Sequence, residues 1–114
     1  MSAPVRAFGG LLLVAVCGGC GSALADGESQ FKNGRYPEAK QTFASIEDDA
    51  KHYDDTKRAE YALYRGLTFG ALGDRARSAQ WLREANALDA AHPGSLSAED
   101  VRRLKTALAA SDAP

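Results

Sequence analysis

Four groups of residues in this chain are of types that could do chemistry, and the spacing within each group decides what that chemistry would be. Cys17 and Cys20 form a C-x-x-C pair, the spacing of a redox dithiol or of half a zinc site. Such a pair needs a strand-to-helix turn or further ligands close by, whereas these two stand among Gly18, Gly19 and Gly21 with no histidine near. His52 lies in a polar stretch and His92 beside Pro93, with no nucleophile placed to pair with either, so solvated surface histidines are expected. Asp48-Asp49 and Asp54-Asp55 flank His52 but lack the glycine and closing glutamate of a calcium loop. Capping helix starts is the better use of these carboxylates. The glycines of GLTFGALGD, residues 66–74, have no Lys-Ser or Lys-Thr after them, so no phosphate loop is built. The residues therefore predict no enzyme, no cofactor and no metal site.

Cys20 has a second reading, because it follows a leader. Residues 1–21 hold one charged side chain, Arg6, ahead of the apolar run AFGGLLLVAV, while all 15 acidic residues lie at Asp26 or beyond. That run is about ten residues long where a bilayer span needs roughly 20, so an export signal is expected rather than a transmembrane helix. The stretch VCGGCGSALADG then offers two cuts. Gly18 and Gly19 before Cys20 suit cleavage at a lipid-modified cysteine, although Cys17 stands where leucine is usual; Ala23-Leu24-Ala25 suits an ordinary leader peptidase. Two acyl chains on Cys20, each buried CH₂ worth about 0.8 kcal/mol, would hold the protein at a membrane without a helix.

The remaining chain is of ordinary soluble composition. Of 114 residues, 45% are hydrophobic and 25% charged, the formal net charge is −1 and no block of like charge occurs, which leaves nothing to draw nucleic acid or an acidic membrane surface by electrostatics. No cysteine lies in the body of the domain, so its stability must come from packing.

Alanine and charged residues dominate after the leader and β-branched residues are scattered, which predicts an all-α fold. A first helix is expected over Ser22–Asn33, ended by Gly34. A second, over about Pro37–Asp49, carries the stripe Ala39, Phe43 and Ile46, with Pro37 in its first turn. The polar stretch from Glu47 to Lys57 connects to a third helix over about Thr56–Leu72, which ends at Gly73. A fourth, about Arg75–Ala90, carries Ala79, Leu82, Ala85 and Leu88 and stops before Pro93. The last has the clearest start in the chain: Ser97 as N-cap, Asp100 as its reciprocal partner and Leu96 placed to staple onto Val101. Its apolar face is Val101, Leu104 and Leu108, and the SDAP tail is expected to fray.

Gly34 and Gly73 hold the same place in two helix–turn–helix units, 39 residues apart. The second unit reads Ala62-x2-Arg65-Gly66-x2-Phe69, the turn Leu72-Gly73-Asp74, then Ser78-x3-Leu82, Ala85 and Ala87-Leu88-Asp89-Ala90. The first reads Gly27, Gly34-Arg35-Tyr36, Ala39-x3-Phe43 and Ile46, with NGRYPEAKQTF as its best fragment. This resembles the tetratricopeptide repeat, W-x2-L-G-x2-Y, A-x3-F and P over 34 residues, in which small residues stand where paired helices cross. The chain departs from that pattern at Arg65 for leucine, Arg75 for tyrosine, Ala90 for proline and in a longer connector, and the first unit lacks the leading tryptophan.

The resemblance implies a short α-solenoid: a signal peptide over 1–20, two divergent tetratricopeptide-like units over 21–92, and a capping helix with a tail over 93–114. Two repeats are marginal where three are the usual minimum, so the last helix is expected to lie against the fourth, and any remaining deficit favours self-association or a permanent partner. Cutting before Cys20 keeps the first helix whole, whereas cutting after Ala25 removes its first turn. A further likeness to bacterial envelope lipoproteins that carry such repeats implies a protein tethered at Cys20 and facing the periplasm or the exterior. A soluble periplasmic or secreted accessory subunit is the alternative.

The third helix is of the kind that lines the concave groove of such arrays. With Glu60 as rim, Leu63, Tyr64 and Leu67 would make an apolar patch for a protein or peptide partner, or equally an inter-repeat core. Trp81 lies off the main stripe of its helix, either packed on the capping helix or exposed as a binding anchor. The expected function is a protein-interaction scaffold.

Overall fold

A computed structural model of the chain describes residues 23–112. The leader, Cys17, Cys20, and Ala113 and Pro114 of the tail lie outside the described residues. Six helices account for nearly all of the rest, with no strand among the described residues: α1 over residues 23–32, α2 (Tyr36–Ser45), α3 (Glu47–Ala50), α4 (Asp55–Ala71), α5 (Arg75–Ala91) and α6 (Ala98–Ser111).

The helix starts follow from side chains that accept orphaned backbone N–H groups. Asp54 takes the N–H of Lys57 at 2.9 Å and so starts α4. Asp74 takes that of Arg77 at 3.1 Å and starts α5, and Ser97 takes that of Asp100 at 3.1 Å and starts α6. At α2 the start is set by Pro37 in the first turn, with no side-chain cap.

Two expectations need correction here. The second helix does not run unbroken to Asp49: it stops at Ser45, Ile46 turns out of helical geometry at φ −108° and ψ 15°, and α3 resumes for four residues. Ile46 and Ala50 are both buried, so the break turns the chain to set Ala50 against the core. At α6 the capping box is half made. Ser97 caps, but the Asp100 carboxylate turns inward to the Tyr64 hydroxyl and Arg103 instead of back to Ser97.

The internal repeat is physical as well as textual. Gly34 and Gly73 hold φ of 79° and 86°, the left-handed conformation that favours glycine, and close matching turns. The Gly34 N–H donates to the Phe31 carbonyl at 3.0 Å and that of Gly73 to Gly70 at 3.1 Å; one residue on, Arg35 donates to Gln30 at 2.8 Å and Asp74 to Phe69 at 2.9 Å. The helix crossings repeat too. A Cβ on Gly27 would come within 2.5 Å of the Phe43 ring, and one on Gly66 within 2.9 Å of the Leu82 side chain. Leu24 and Leu63, Ala39 and Ser78, and Ile46 and Ala85 are buried at equivalent positions. Ser78 alone of these brings a polar group inside, and its hydroxyl donates to the Gly66 carbonyl at 2.8 Å.

The second helix of each unit packs on the first, α2 also packs on α4, and α6 lies against both α4 and α5. Phe43, Leu63, Tyr64 and Leu82 are the large, fully buried apolar and aromatic side chains of the resulting core. Each such burial is worth about 1.5–3 kcal/mol.

Candidate functional site: a groove between the first helices

The face of α6 opposite Leu104 carries Glu99, Arg102, Arg103, Thr106, Ala107 and Ala110, spaced by three and four residues as one side of a helix. Together with Phe31 from α1 and Leu67 from α4 these residues line a hollow of about 620 Å³. A second hollow of about 350 Å³ continues past Gly70 and Ser78 to Arg75 and Ser111. The two share Leu67, Ala107 and Ala110, so they form one groove. Its floor is apolar and made of short side chains except at Phe31 and Leu67.

Charge around the groove is lopsided. Arg75, Arg102 and Arg103 line it against the single carboxylate of Glu99. Arg103 is held 3.1 Å from Glu99 and 3.0 Å from Asp100. Arg75 reaches across to the end of α6, 3.5 Å from the Ala110 carbonyl and 3.4 Å from that of Ser111. Arg102 is exposed and has no ion-pair partner among the described residues.

Of the five residues expected to bind a partner, Leu67 alone lines this groove. Leu63 and Tyr64 are a correction: they are 0% and 1% exposed and belong to the core. The reason is α1 and α6. Phe31 meets the Tyr64 ring edge-on at 5.8 Å, the Tyr64 hydroxyl donates to Asp100 at 2.8 Å, and the Lys32 ammonium lies 5.4 Å over the ring. Burial and the bond to Asp100 hold the Tyr64 phenol well above its usual pKa.

Glu60 sits half-buried one turn before Tyr64, near Glu28 of α1 and Asp100 of α6. Burial, then the charge of Glu60, push the Glu28 carboxyl up to about 7, and burial followed by Asp100 raises that of Glu60 as well. Three helices thus bring carboxylates together beside Tyr64, with the charges of Lys32, Lys57 and Arg103 acting against the shift.

Trp81 stands elsewhere. Half-buried, its ring meets that of Tyr61 at 5.7 Å and the Arg65 guanidinium lies 4.8 Å over it. It lines a separate hollow of about 140 Å³ with Ala50, Tyr61 and Leu88, to which α6 contributes nothing. Arg65, which fills a position where the repeat pattern has leucine, is the keystone there. It donates to the Tyr61 hydroxyl at 2.7 Å, lies 3.5 Å from Glu47, and packs against the rings of Tyr61 and Phe69 at 5.7 Å each.

Cys20 lies outside the described residues. Among the described residues no cluster of His, Cys, Asp and Glu suits a metal ion, and no helix is long and apolar enough to cross a membrane. His92 lies exposed, 3.4 Å from Asp55. The groove residues that sequence reasoning passed over are Phe31, Gly70 and the outer face of α6. The three-and-four spacing from Glu99 to Ala110 was the available signal. No protein family, curated protein or solved structure matches the chain.

Proposed function

We propose that this protein is a tetratricopeptide-like interaction scaffold, exported and held at the cell envelope by a lipid on Cys20, that binds a protein partner in the groove formed by α1, α4 and α6. The observation that carries this reading is the continuous apolar groove through Leu67, which runs along the outer face of α6 and is lined opposite by the ends of α1 and α4 and the start of α5. A side-chain core has no need of such a hollow, and an apolar concavity with charged edges is what a binding surface requires.

Leu24 supports the anchored form. It is buried in the core, and Ala23 packs beside it. Cleavage after Ala25 would remove both, whereas cleavage before Cys20 keeps them.

Site-directed photo-crosslinking in the native host tests the groove. A benzophenone amino acid at Thr106, on the groove wall, is expected to give one discrete adduct; the same group at Arg83, exposed on α5 outside the groove, is expected to give none. Equal labelling at both positions, or no adduct at Thr106, would refute the assignment.

A further inference from the structure

We propose that α1 is a pH-operated latch: it lies closed on α4 and α6 while Glu28 carries a proton, and it opens about the Gly34 turn more often once Glu28 is ionised beside Glu60 and Asp100. The device stands whether or not the groove binds a partner.

The placement follows from helix geometry. The Lys32 ammonium of α1 lies 5.4 Å over the Tyr64 ring of α4. Glu28 stands one turn before Lys32, and Glu60 one turn before Tyr64, so the same step back along each helix brings the two carboxyls across from one another. Their charge interaction agrees with that. Asp100 comes to the same place from α6, where it accepts from the Tyr64 hydroxyl at 2.8 Å and from Arg103 at 3.0 Å. The three are unequal. Asp100 has partners, whereas Glu28 and Glu60, both half-buried, make no hydrogen bond or ion pair among the described residues.

Glu60 and Asp100 oppose the ionisation of Glu28, while Lys32 and Arg103 favour it. Around Glu60 stand Asp100 and Asp54 against Lys32 and Lys57. Tyr64 stays a neutral phenol throughout. The cations do not prevail, because Arg103 is divided between Asp100 and Glu99 and burial disfavours the charged form, so Glu28 keeps its proton up to about 7 instead of 4.5. An open α1 puts Glu28 in water, where it ionises at the ordinary value. Between pH 4.5 and 7 the closed form therefore holds a proton that the open form has lost. Closure is strongest below that window, weakens as pH rises through it and levels off above it.

Leu24 in the core, Gly27 against Phe43 and Phe31 against Tyr64 keep α1 closed in most molecules at any pH. Ionisation changes how often it leaves. Gly34, at φ 79°, provides a joint between α1 and α2. Phe31 travels with α1, so each opening also takes one side chain from the wall of the groove.

Hydrogen exchange on the full chain as recovered from cells tests the latch. Each amide's rate is divided by that of an unstructured peptide at the same pH, which gives its opening constant. For the amides of residues 27–32 this constant is expected to be about tenfold larger at pH 8 than at pH 5, and to respond little to low urea at pH 8, as a local opening does. The amides of Leu82 and Ala85 should instead follow urea as the whole fold does. In Glu28→Gln the rise in α1 is expected to vanish, and in Glu60→Gln to shrink. A rise that persists undiminished in Glu28→Gln, or no rise in the wild type, overturns the assignment to Glu28. If α1 and α5 show the same opening constants and the same urea dependence at pH 8, α1 leaves only when the whole chain unfolds, and there is no latch.

Discussion

Replacing Glu28 by glutamine should make the protein more stable at pH 8 and leave it unchanged near pH 4.5. The wild-type carboxyl is held at about 7 against an ordinary 4.5, first by burial and then by Glu60. At about 1.4 kcal/mol per pH unit, that gap puts a ceiling of about 3 kcal/mol on the cost of ionising Glu28 in the folded protein. Glu28 keeps partial contact with solvent, and screening by water lowers the realistic figure to about 1–2 kcal/mol. The sign follows from proton binding. Between pH 4.5 and 7 the folded chain holds a proton that the unfolded chain has released, so stability falls as pH rises through that window. Below it both states are protonated and the cost vanishes; above 7 it is paid in full. Glutamine keeps the shape and cannot ionise. Urea melts followed by far-ultraviolet circular dichroism, taken for both proteins from pH 4 to 8, should therefore diverge by about 1–2 kcal/mol with the variant above the wild type. Curves that run parallel across the window would mean that Glu28 is solvated, and that α1 does not sit against Glu60 and Asp100 as described.

Gly66→Ala should destabilise by about 1–3 kcal/mol although alanine is the better helix former by about 1 kcal/mol, because the new methyl meets not only the Leu82 side chain at 2.9 Å but its backbone nitrogen at 3.1 Å, which forces α4 and α5 apart; a stabilised variant in thermal melts would show that the crossing is looser than this. The intact mass of the protein from a membrane fraction should match a chain from Cys20 bearing acyl groups, whereas a bare chain from Asp26 in the soluble fraction would mean that the core closes without Leu24.

How far the sequence could be read depended on the range of the interaction. Helix ends set by local chemistry were legible: Gly34, Gly73, Pro37 and Ser97 all act within one turn of themselves, and each does what its type predicts. The pairing of Gly27 with Phe43 and of Gly66 with Leu82 was legible only through the repeat, since nothing local tells a glycine which side chain it will face. Tyr64 was not legible. Whether an aromatic residue on that helix faces a groove or a core depends on how closely α1 and α6 approach it, and its hydroxyl finds Asp100 36 residues away. The same contact explains why Asp100 abandons the local capping box: a buried phenol needs a protein acceptor more than an exposed Ser97 N–H, which water can serve, needs one. Arg65 is the opposite case, a departure visible in the sequence whose reason lies in Glu47 and three aromatic rings that only the fold assembles.

Under the proposed function the sixth helix ties stability and binding to one element while keeping them on separate faces. Its inner face, with Asp100 and Leu104 buried and Val101 and Leu108 partly so, closes a core that two units alone leave open. Its outer face, from Glu99 to Ala110, supplies one wall of the groove. Substitutions at Arg102 or Thr106 should therefore alter partner capture at little cost to folding, and substitutions at Leu104 should do the reverse, at about 2–5 kcal/mol for alanine. A helix that served only to cap a short solenoid would show no such separation: its outer face would be interchangeable with any solvated surface. What argues against that here is the hollow itself: Arg102, Thr106, Ala107 and Ala110 of the outer face line it together with Phe31 of α1 and Leu67 of α4, which a freely solvated helix face does not do.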